Sequence, residues 1–190
     1  MERITELLEL RKEAYESCAD IIVDVDGLSM SQVVENVVSA LERKQKEKAM
    51  KILVINGPNL NFLGIREKSV YGIQNYEYLL KLIQDKADKE GCVIETYQSN
   101  HEGAIIDRIQ EAYFDGTQGI VINPGAYTHY SYAIRDALAS ITVPKVEVHI
   151  SNIQEREEFR KLSVTAPVCD KQIYGQGLDG YLQAIDFILK

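Results

Sequence analysis

The sequence predicts an open α/β fold in which five parallel strands alternate with helices. Short apolar runs that end at turn residues recur along residues 51–190, beginning with KILVIN before Gly57-Pro58, as expected for buried strands. The segments between these runs carry apolar residues at helical spacing. Strands that alternate with helices favour a parallel sheet covered on both faces.

The predicted elements follow one another without a long gap. The apolar runs predict strands at residues 51–56, 92–98, 119–123, 143–150 and 166–174. Helices are predicted at residues 76–90, 103–114, 131–140 and 178–189, with a partly helical polar segment at 151–162. Five such strands predict a flavodoxin-like order in three α/β/α layers, with the ligand beyond the carboxyl ends of the strands.

Polar side chains follow four of these strands. All three histidines, His101, His129 and His149, lie at or just past a strand end, with amides, a serine and two arginines nearby. This set suits acid–base chemistry on a polar, anionic ligand. It would equally suit a ligand-binding or regulatory module, so the residues alone leave an enzyme and a binding protein both open.

Composition and missing motifs exclude several classes of function. The formal charge of −8 over 190 residues argues against a nucleic-acid binder, and no apolar run reaches the length of a membrane span. The chain has no G-x-G-x-x-G after the first strand, no Walker loop, no H-E-x-x-H and no G-x-S-x-G. The three separated cysteines predict reduced, packed thiols, and we expect a cytoplasmic protein with no metal.

Five motifs in order carry a family resemblance. They are ILVINGPNLNFLG with the following Arg66 and Tyr71-Gly72, then QSNHEG, INPGAYTHYS, RDA at residues 135–137, and EVHISN followed after four residues by EEFR. From about residue 50 to 190 the chain resembles the type II 3-dehydroquinate dehydratases. The resemblance implies a flavodoxin-like fold, a homododecamer of trimers, and reversible dehydration of 3-dehydroquinate to 3-dehydroshikimate without cofactor.

The resemblance also implies a role for each matching residue. Tyr71 is expected to take the C2 proton beside Arg66, His149 to protonate the departing hydroxyl, Asn59 to stabilise the enolate through water, and Glu147 to orient the histidine. Groups expected to contact substrate are Asn123, His129, Ser151, Arg160, the Ile150 backbone and, from a neighbouring subunit, Asp136. One departure is Lys68, where the family often has proline.

The chemistry of these side chains agrees with those roles. A tyrosine has a pKa of about 10, and a neighbouring guanidinium lowers it, so Arg66 on the loop of Tyr71 would make the phenolate more accessible. Glu147 and His149 are two residues apart on a predicted strand, so their side chains share one face. A carboxylate there would orient the imidazole and favour its charged form.

The first 49 residues resemble a different protein family. Residues 3–41 are similar to the C-terminal tail of a shikimate kinase, with Arg11 at the position of a substrate-contacting arginine, but the Walker loop is missing. We expect a non-catalytic kinase remnant and linker at 1–49, mostly helical, before a dehydratase domain at 50–190. Helices are predicted near 4–18 and 31–48, with a short strand at 21–25. A scaffold whose appendage recruits a pathway neighbour is a further alternative.

Overall fold

A computed structural model describes residues 2–65 and 74–190 of the chain. These residues form two compact units, Met1–Ala49 and Met50–Lys190. No helix within the described residues is long and apolar enough to cross a membrane.

The first unit is a pair of helices. They are α1 (Glu2–Cys18) and α2 (Met30–Lys48). The start of α2 has a reciprocal cap: the Gln32 N–H donates to Oγ of Ser29 at 3.5 Å, and the Ser29 N–H donates to Oε1 of Gln32 at 2.8 Å. The strand predicted at 21–25 is wrong: this segment is irregular, and Ile22 is 67% exposed. A lone apolar run cannot form a ladder when the described part of this unit contains no second strand to pair with.

The second unit contains the predicted five-stranded parallel sheet. Its strands are β1 (Lys51–Asn56), β2 (Val93–Gln98), β3 (Gly119–Asn123), β4 (Lys145–His149) and β5 (Lys171–Tyr174). Their order in the sheet is β2-β1-β3-β4-β5, and every pair is parallel. This confirms the flavodoxin-like arrangement predicted from the sequence.

Helices cover both faces of this sheet. They are α3 (Tyr76–Glu90), α4 (Glu102–Glu111), α5 (Tyr132–Ala139) and α6 (Asp179–Ile188). On one face, α3 and α6 pack on Ile52 and Val54 of β1. On the other, α4 and α5 pack on Leu53 and Ile55. Because successive residues of β1 enter opposite cores, its sequence is apolar without alternation.

Several elements are shorter than the sequence predicted. β4 lacks the first two residues and the last residue predicted for it, and β5 begins only at Lys171 because Ala166–Val168 forms a 3-10 turn that includes Pro167. The segment predicted as partly helical contains the 3-10 turns Ile153–Glu155 and Glu158–Arg160. Among the cysteines, Cys92 is buried, but Cys18 is exposed, contrary to the expectation of packed thiols.

A charged cluster closes the amino-terminal edge of the sheet. The buried Arg108 lies 2.8 Å from Glu95 and 3.0 Å from Asp115, and Lys51 lies 3.0 Å from the same two carboxylates. Asp115 also accepts a 2.6 Å hydrogen bond from Thr117. Burial would raise the pKa of Asp115, but the bonds from Thr117 and Lys51 outweigh it and hold the pKa well below its usual range. A ligand site is expected at the opposite edge of the sheet, beyond the carboxyl ends of the strands.

Candidate active site

A cavity of about 190 Å³ lies beyond the carboxyl ends of β1, β3 and β4. Seven residues predicted for the site line it: Asn59, Asn123, His129, His149, Ile150, Ser151 and Arg160. The remaining lining residues are Pro58, Leu60, Gly125, Ala126, Ile153 and Arg156. The position agrees with the rule that ligands of open α/β sheets bind beyond the strand ends.

The loop after β1 lies against the loop after β3. The N–H of Gly57 donates to the carbonyl of Asn123 at 2.8 Å, and a Cβ on Gly57 would lie 2.5 Å from the carbonyl oxygen of Pro124. Only glycine therefore allows the two loops to approach this closely. The contact brings Asn59 and Asn123 to the same cavity.

Asn59 adopts a left-handed backbone conformation, with φ of 65°. It is the only non-glycine residue with positive φ in the described parts of the chain. Asn100 holds it there, because Oδ1 of Asn100 accepts the Asn59 N–H at 2.8 Å. Asparagine tolerates this conformation better than most residues, and strain of this kind is often found at functional sites.

His129 faces the cavity from the turn after β3. Its Nδ1 lies 2.8 Å from the carbonyl oxygen of Leu162, which can only accept, so Nδ1 carries a proton. Burial lowers the pKa of His129, the bond to Leu162 opposes that effect, and the neighbouring Arg160 adds to it. A neutral His129 thus presents Nε2 as an acceptor for a ligand hydroxyl.

Glu147 and His149 form a buried pair at the end of β4. Oε1 of Glu147 lies 2.7 Å from Nε2 of His149, and the glutamate side chain is fully buried. Burial alone would raise the pKa of Glu147, but hydrogen bonds from His149, Thr165 and Gln172 outweigh it and lower the pKa to about 2. An ionised Glu147 accepts from Nε2, which leaves Nδ1 of His149 as the nitrogen able to exchange a proton with a ligand.

Two arginines of the segment after β4 give the cavity wall a positive charge. Arg160 and Arg156 both line the cavity, and their Nε atoms lie 3.1 and 3.6 Å from the same Glu157 carboxylate oxygen. Glu157 is exposed, so these ion pairs are weak and a ligand carboxylate can compete for them. Arg160 also stacks over the Phe159 ring at 5.0 Å, which limits the orientations of its guanidinium group.

Two predicted site residues within the described parts of the chain do not line this cavity: Glu147 is buried behind it, and Asp136 is exposed on α5. The predicted residues Arg66 and Tyr71 lie outside the described residues. His101, the third strand-end histidine, precedes α4, is exposed and is absent from the cavity lining. In the described parts of the chain, no three His, Cys, Asp or Glu side chains are grouped as metal ligands would be.

Comparisons with known proteins match the second unit. The family model described as dehydroquinase class II matches residues 50–189. The chain belongs to the class II dehydroquinase family. The 3-dehydroquinate dehydratase of Lachnoclostridium phytofermentans is 72% identical over 140 residues, which are 74% of this chain and 97% of that protein. That of Thermotoga maritima is 61% identical over 141 residues, 74% of this chain and 96% of that protein.

Solved structures of class II dehydroquinases share the fold. The type II dehydroquinase of Butyrivibrio crossotus is 69% identical, with a TM-score of 0.74, and the match covers 75% of this chain and 99% of that one. The type II dehydroquinase of Propionibacterium acnes is 41% identical, with a TM-score of 0.70, over 74% of this chain and 97% of that one. All four matches leave about a quarter of this chain uncovered.

The structure also brings unpredicted residues to this class II dehydroquinase site. Thr128, Ser163, Thr165 and Gln172 surround Glu147 behind the cavity. Gln172 could have been found from the sheet order, because β5 pairs with β4 and places Gln172 beside Glu147. Ser163 and Thr165 lie in an irregular segment, where no periodicity indicates which side chains turn inward.

Proposed function

We propose that the chain catalyses the reversible dehydration of 3-dehydroquinate to 3-dehydroshikimate in the shikimate pathway. Family membership supports the substrate, since a relative of 72% identity carries the name 3-dehydroquinate dehydratase. The observation that carries the chemistry is the buried Glu147–His149 pair at a cavity lined by Arg160. That arrangement supplies one proton donor and one carboxylate-binding group for a small polar acid.

The reaction breaks two bonds in sequence. In the first step the C2–H bond breaks, its proton passes to Tyr71, and its electrons form an enolate with the C3 ketone. Arg66 favours the phenolate form of Tyr71, and Asn59 stabilises the enolate oxygen through an ordered water. In the second step the enolate collapses to the C1=C2 double bond, the C1–O bond breaks, and His149 protonates the hydroxyl so that water leaves.

The environment of His149 supports its role as the acid. Since Nε2 donates to Glu147, the proton given to the leaving hydroxyl comes from Nδ1. The negative charge of Glu147 stabilises the doubly protonated ring before that transfer. Donors already in place at a site of developing charge are often the largest contribution to catalysis.

The substrate contacts follow from the lining of the cavity. Arg160 is suited to the carboxylate by its planar pair of donors. Nε2 of His129 and the side chains of Asn123 and Ser151 are suited to hydroxyl groups, with the Ile150 backbone beside them. Asp136 is exposed on α5 and is proposed to reach the site of a neighbouring copy in a dodecamer of trimers. Sedimentation equilibrium would test that assembly.

The decisive experiment is turnover with no added metal or nucleotide. We expect a growing enone absorbance from 3-dehydroquinate with the wild-type chain, and loss of nearly all of it in Tyr71→Phe, with binding of a substrate analogue retained. Tyr113→Phe is the matched control, because Tyr113 is 69% exposed and lies outside the cavity lining. If the wild type binds the substrate analogue without turnover, the chain is better explained as a ligand-binding module. Normal turnover by Tyr71→Phe would exclude Tyr71 as the base.

The cellular setting is part of the same proposal. A cytoplasmic location is supported by the absence of a spanning helix in the described residues and by free cysteines. Residues 1–49 are proposed to be a non-catalytic remnant resembling a shikimate kinase tail, since the family match begins only at residue 50.

A further inference from the structure

Four polar side chains from three segments converge on the buried carboxylate of Glu147. Thr128 comes from the turn after β3, Ser163 and Thr165 from the segment before β5, and Gln172 from β5 itself. Their distances to Oε1 are 2.9 Å for Thr128, 2.8 Å for Ser163 and 2.9 Å for Gln172. Thr165 donates to the other oxygen, Oε2.

These neighbours are suited to an ionised carboxylate. Gln172 and His149 approach Oε1 with N–H groups, and Thr165 commits its single hydroxyl hydrogen to Oε2. The hydroxyl of Thr128 lies 2.9 Å from that of Thr165 and can donate to it or to Oε1. An ionised carboxylate can accept from all of these donors at once, whereas a protonated one would turn a neighbouring hydroxyl from a donor into an acceptor.

The two carboxylate oxygens of Glu147 accept hydrogen bonds from different numbers of donors. Oε1 receives His149 and three neutral groups, while Thr165 is the only donor to Oε2 among the described residues. Because the side chain is fully buried, water cannot replace a lost donor without rearrangement. The hydroxyl of Thr165 is therefore the contact whose removal changes the carboxylate most.

The segment that carries Ser163 and Thr165 is itself fixed to the site. The N–H of Val164 donates to the carbonyl of Thr128 at 2.7 Å, and Arg135 donates to the carbonyl of Val164 at 3.0 Å. The carbonyl of Leu162 accepts from His129. This segment thus connects the cavity wall to the polar shell behind Glu147.

We propose that Thr165, supported by Ser163 and Gln172, is a positioning residue that keeps Glu147 ionised and its Oε1 directed at Nε2 of His149. Thr165 does not touch substrate and acts through Glu147 on the acid. The expected effect of Thr165 on the reaction rate rests on the proposed dehydration reaction. The charge and orientation of the Glu147–His149 pair can be tested without substrate.

Among the described residues, the charge of Glu147 interacts with three titratable groups that lie near it. They are His149 beside it on β4, His129 from the turn after β3, and Cys169 from the segment before β5. Burial raises the pKa of Cys169 to about 12, and the charge of Glu147 contributes, so the thiol stays neutral near pH 7. Gln172, the residue of β5 beside Glu147, is uncharged. A change in the direction of the Glu147 carboxylate should therefore act mainly on His149.

The test compares Thr165→Val, which removes the hydroxyl at nearly constant shape, with Thr165→Ser, which keeps it. For Thr165→Val we expect kcat to fall about 10-fold or more, as for other groups that orient a functional histidine, with KM changed less than about 2-fold. The alkaline limb of the pH–rate profile should move to lower pH, because a carboxylate no longer directed at Nε2 stabilises the protonated imidazole less well. Thr165→Ser should recover the wild-type profile.

The matched control is Thr117→Val at the opposite edge of the sheet. Thr117 is also buried and also donates to a carboxylate, that of Asp115 at 2.6 Å. This variant should lose stability while the shape of its pH–rate profile stays unchanged. If Thr165→Val does not fold, Gln172→Met removes a donor from Oε1 and tests the same point.

A measurement independent of turnover separates this inference from the proposed function. The chain has three histidines, so ¹⁵N-histidine spectra of the ligand-free protein are simple to assign. We expect the Nε2–H resonance of His149 to move upfield in Thr165→Val and to return in Thr165→Ser. Wild-type imidazole spectra and pH profile in Thr165→Val would overturn the positioning role. So would equal losses in both Thr165 variants, whether or not the wild type turns over 3-dehydroquinate.

Discussion

Asn123 donates a hydrogen bond from Nδ2 to the phenol oxygen of Tyr181 at a distance of 2.9 Å. The tyrosine hydroxyl in turn donates to Oδ1 of Asn56 at 2.7 Å, so one buried group of α6 fixes the last residues of both β1 and β3. Oδ1 of Asn123 accepts from the Gly125 N–H, which leaves one Nδ2 hydrogen for a ligand.

Tyr181→Phe should therefore weaken both stability and substrate binding. It leaves Oδ1 of Asn56 without this donor in a fully buried position, at a cost of about 1–3 kcal/mol. We expect a lower denaturation midpoint and a KM raised several-fold, with kcat changed less. Tyr76→Phe is the control, because its hydroxyl lies 3.5 Å from Asn56 and contributes little. Equal effects of the two substitutions would contradict the prediction.

The charge of Glu147 predicts part of the response of stability to acid. Its pKa in the folded protein is about 2, below the 4.5 of an unperturbed glutamate, so the unfolded chain binds this proton more readily. The contribution to stability is present above about pH 4.5 and is lost as the pH falls towards 2.

Glu147→Gln should remove that contribution. Urea denaturation of the two proteins between pH 6 and pH 3 should show a difference in unfolding free energy that shrinks as the pH falls. The variant should also lose at least about 10-fold in kcat, because the amide carries no charge to orient His149. A constant difference across the pH range would show that Glu147 is not the group responsible.

Gly57 predicts a strong effect of a single methyl group. In Gly57→Ala the new Cβ would lie 2.5 Å from the backbone oxygen of Pro124, so the loops after β1 and β3 must separate. We expect a loss of about 1–3 kcal/mol in stability and a fall in kcat/KM of up to about 100-fold, since Asn59 and Asn123 move apart.

Gly103→Ala provides the matched control for that substitution. Gly103 lies in the first turn of α4, and a Cβ there meets no atom within 4 Å. The Gly103→Ala variant should have unchanged stability or gain up to about 1 kcal/mol, and its activity should be normal. Thermal melts and steady-state kinetics of Gly57→Ala and Gly103→Ala test this prediction. Normal activity in Gly57→Ala would mean that the loops adjust without moving the site.

The central elements could be predicted from sequence because their local signals agree with their environment. Residues 52–55 and 120–122 are apolar throughout and lie in strands buried on both faces. Residues 76–90 are bounded by Asn75, which caps the helix start, and by Gly91 at φ of 67°. The spacing of Glu147 and His149 predicted a shared face, and the structure places their side chains 2.7 Å apart.

The remaining features depend on contacts that no local pattern encodes. The apolar run at 21–25 has the composition of a strand, yet strand formation requires a partner. The hydroxyls of Ser163 and Thr165 reach Glu147 only because hydrogen bonds to Thr128 and from Arg135 fold their segment inward. Asp136 matches the family motif, but its proposed role needs a second copy of the chain.

The first 49 residues should be dispensable for turnover. The family match begins at residue 50, and 140 residues of this chain cover 97% of the relative from Lachnoclostridium phytofermentans. The solved structure from Butyrivibrio crossotus, covered to 99%, has the same extent. A chain that begins at Met50 should therefore keep kcat and KM within about 2-fold, because every described group that lines the cavity lies after residue 50. Circular dichroism would confirm that it folds, and a folded but inactive product would mean that residues 1–49 contribute to the site or its assembly.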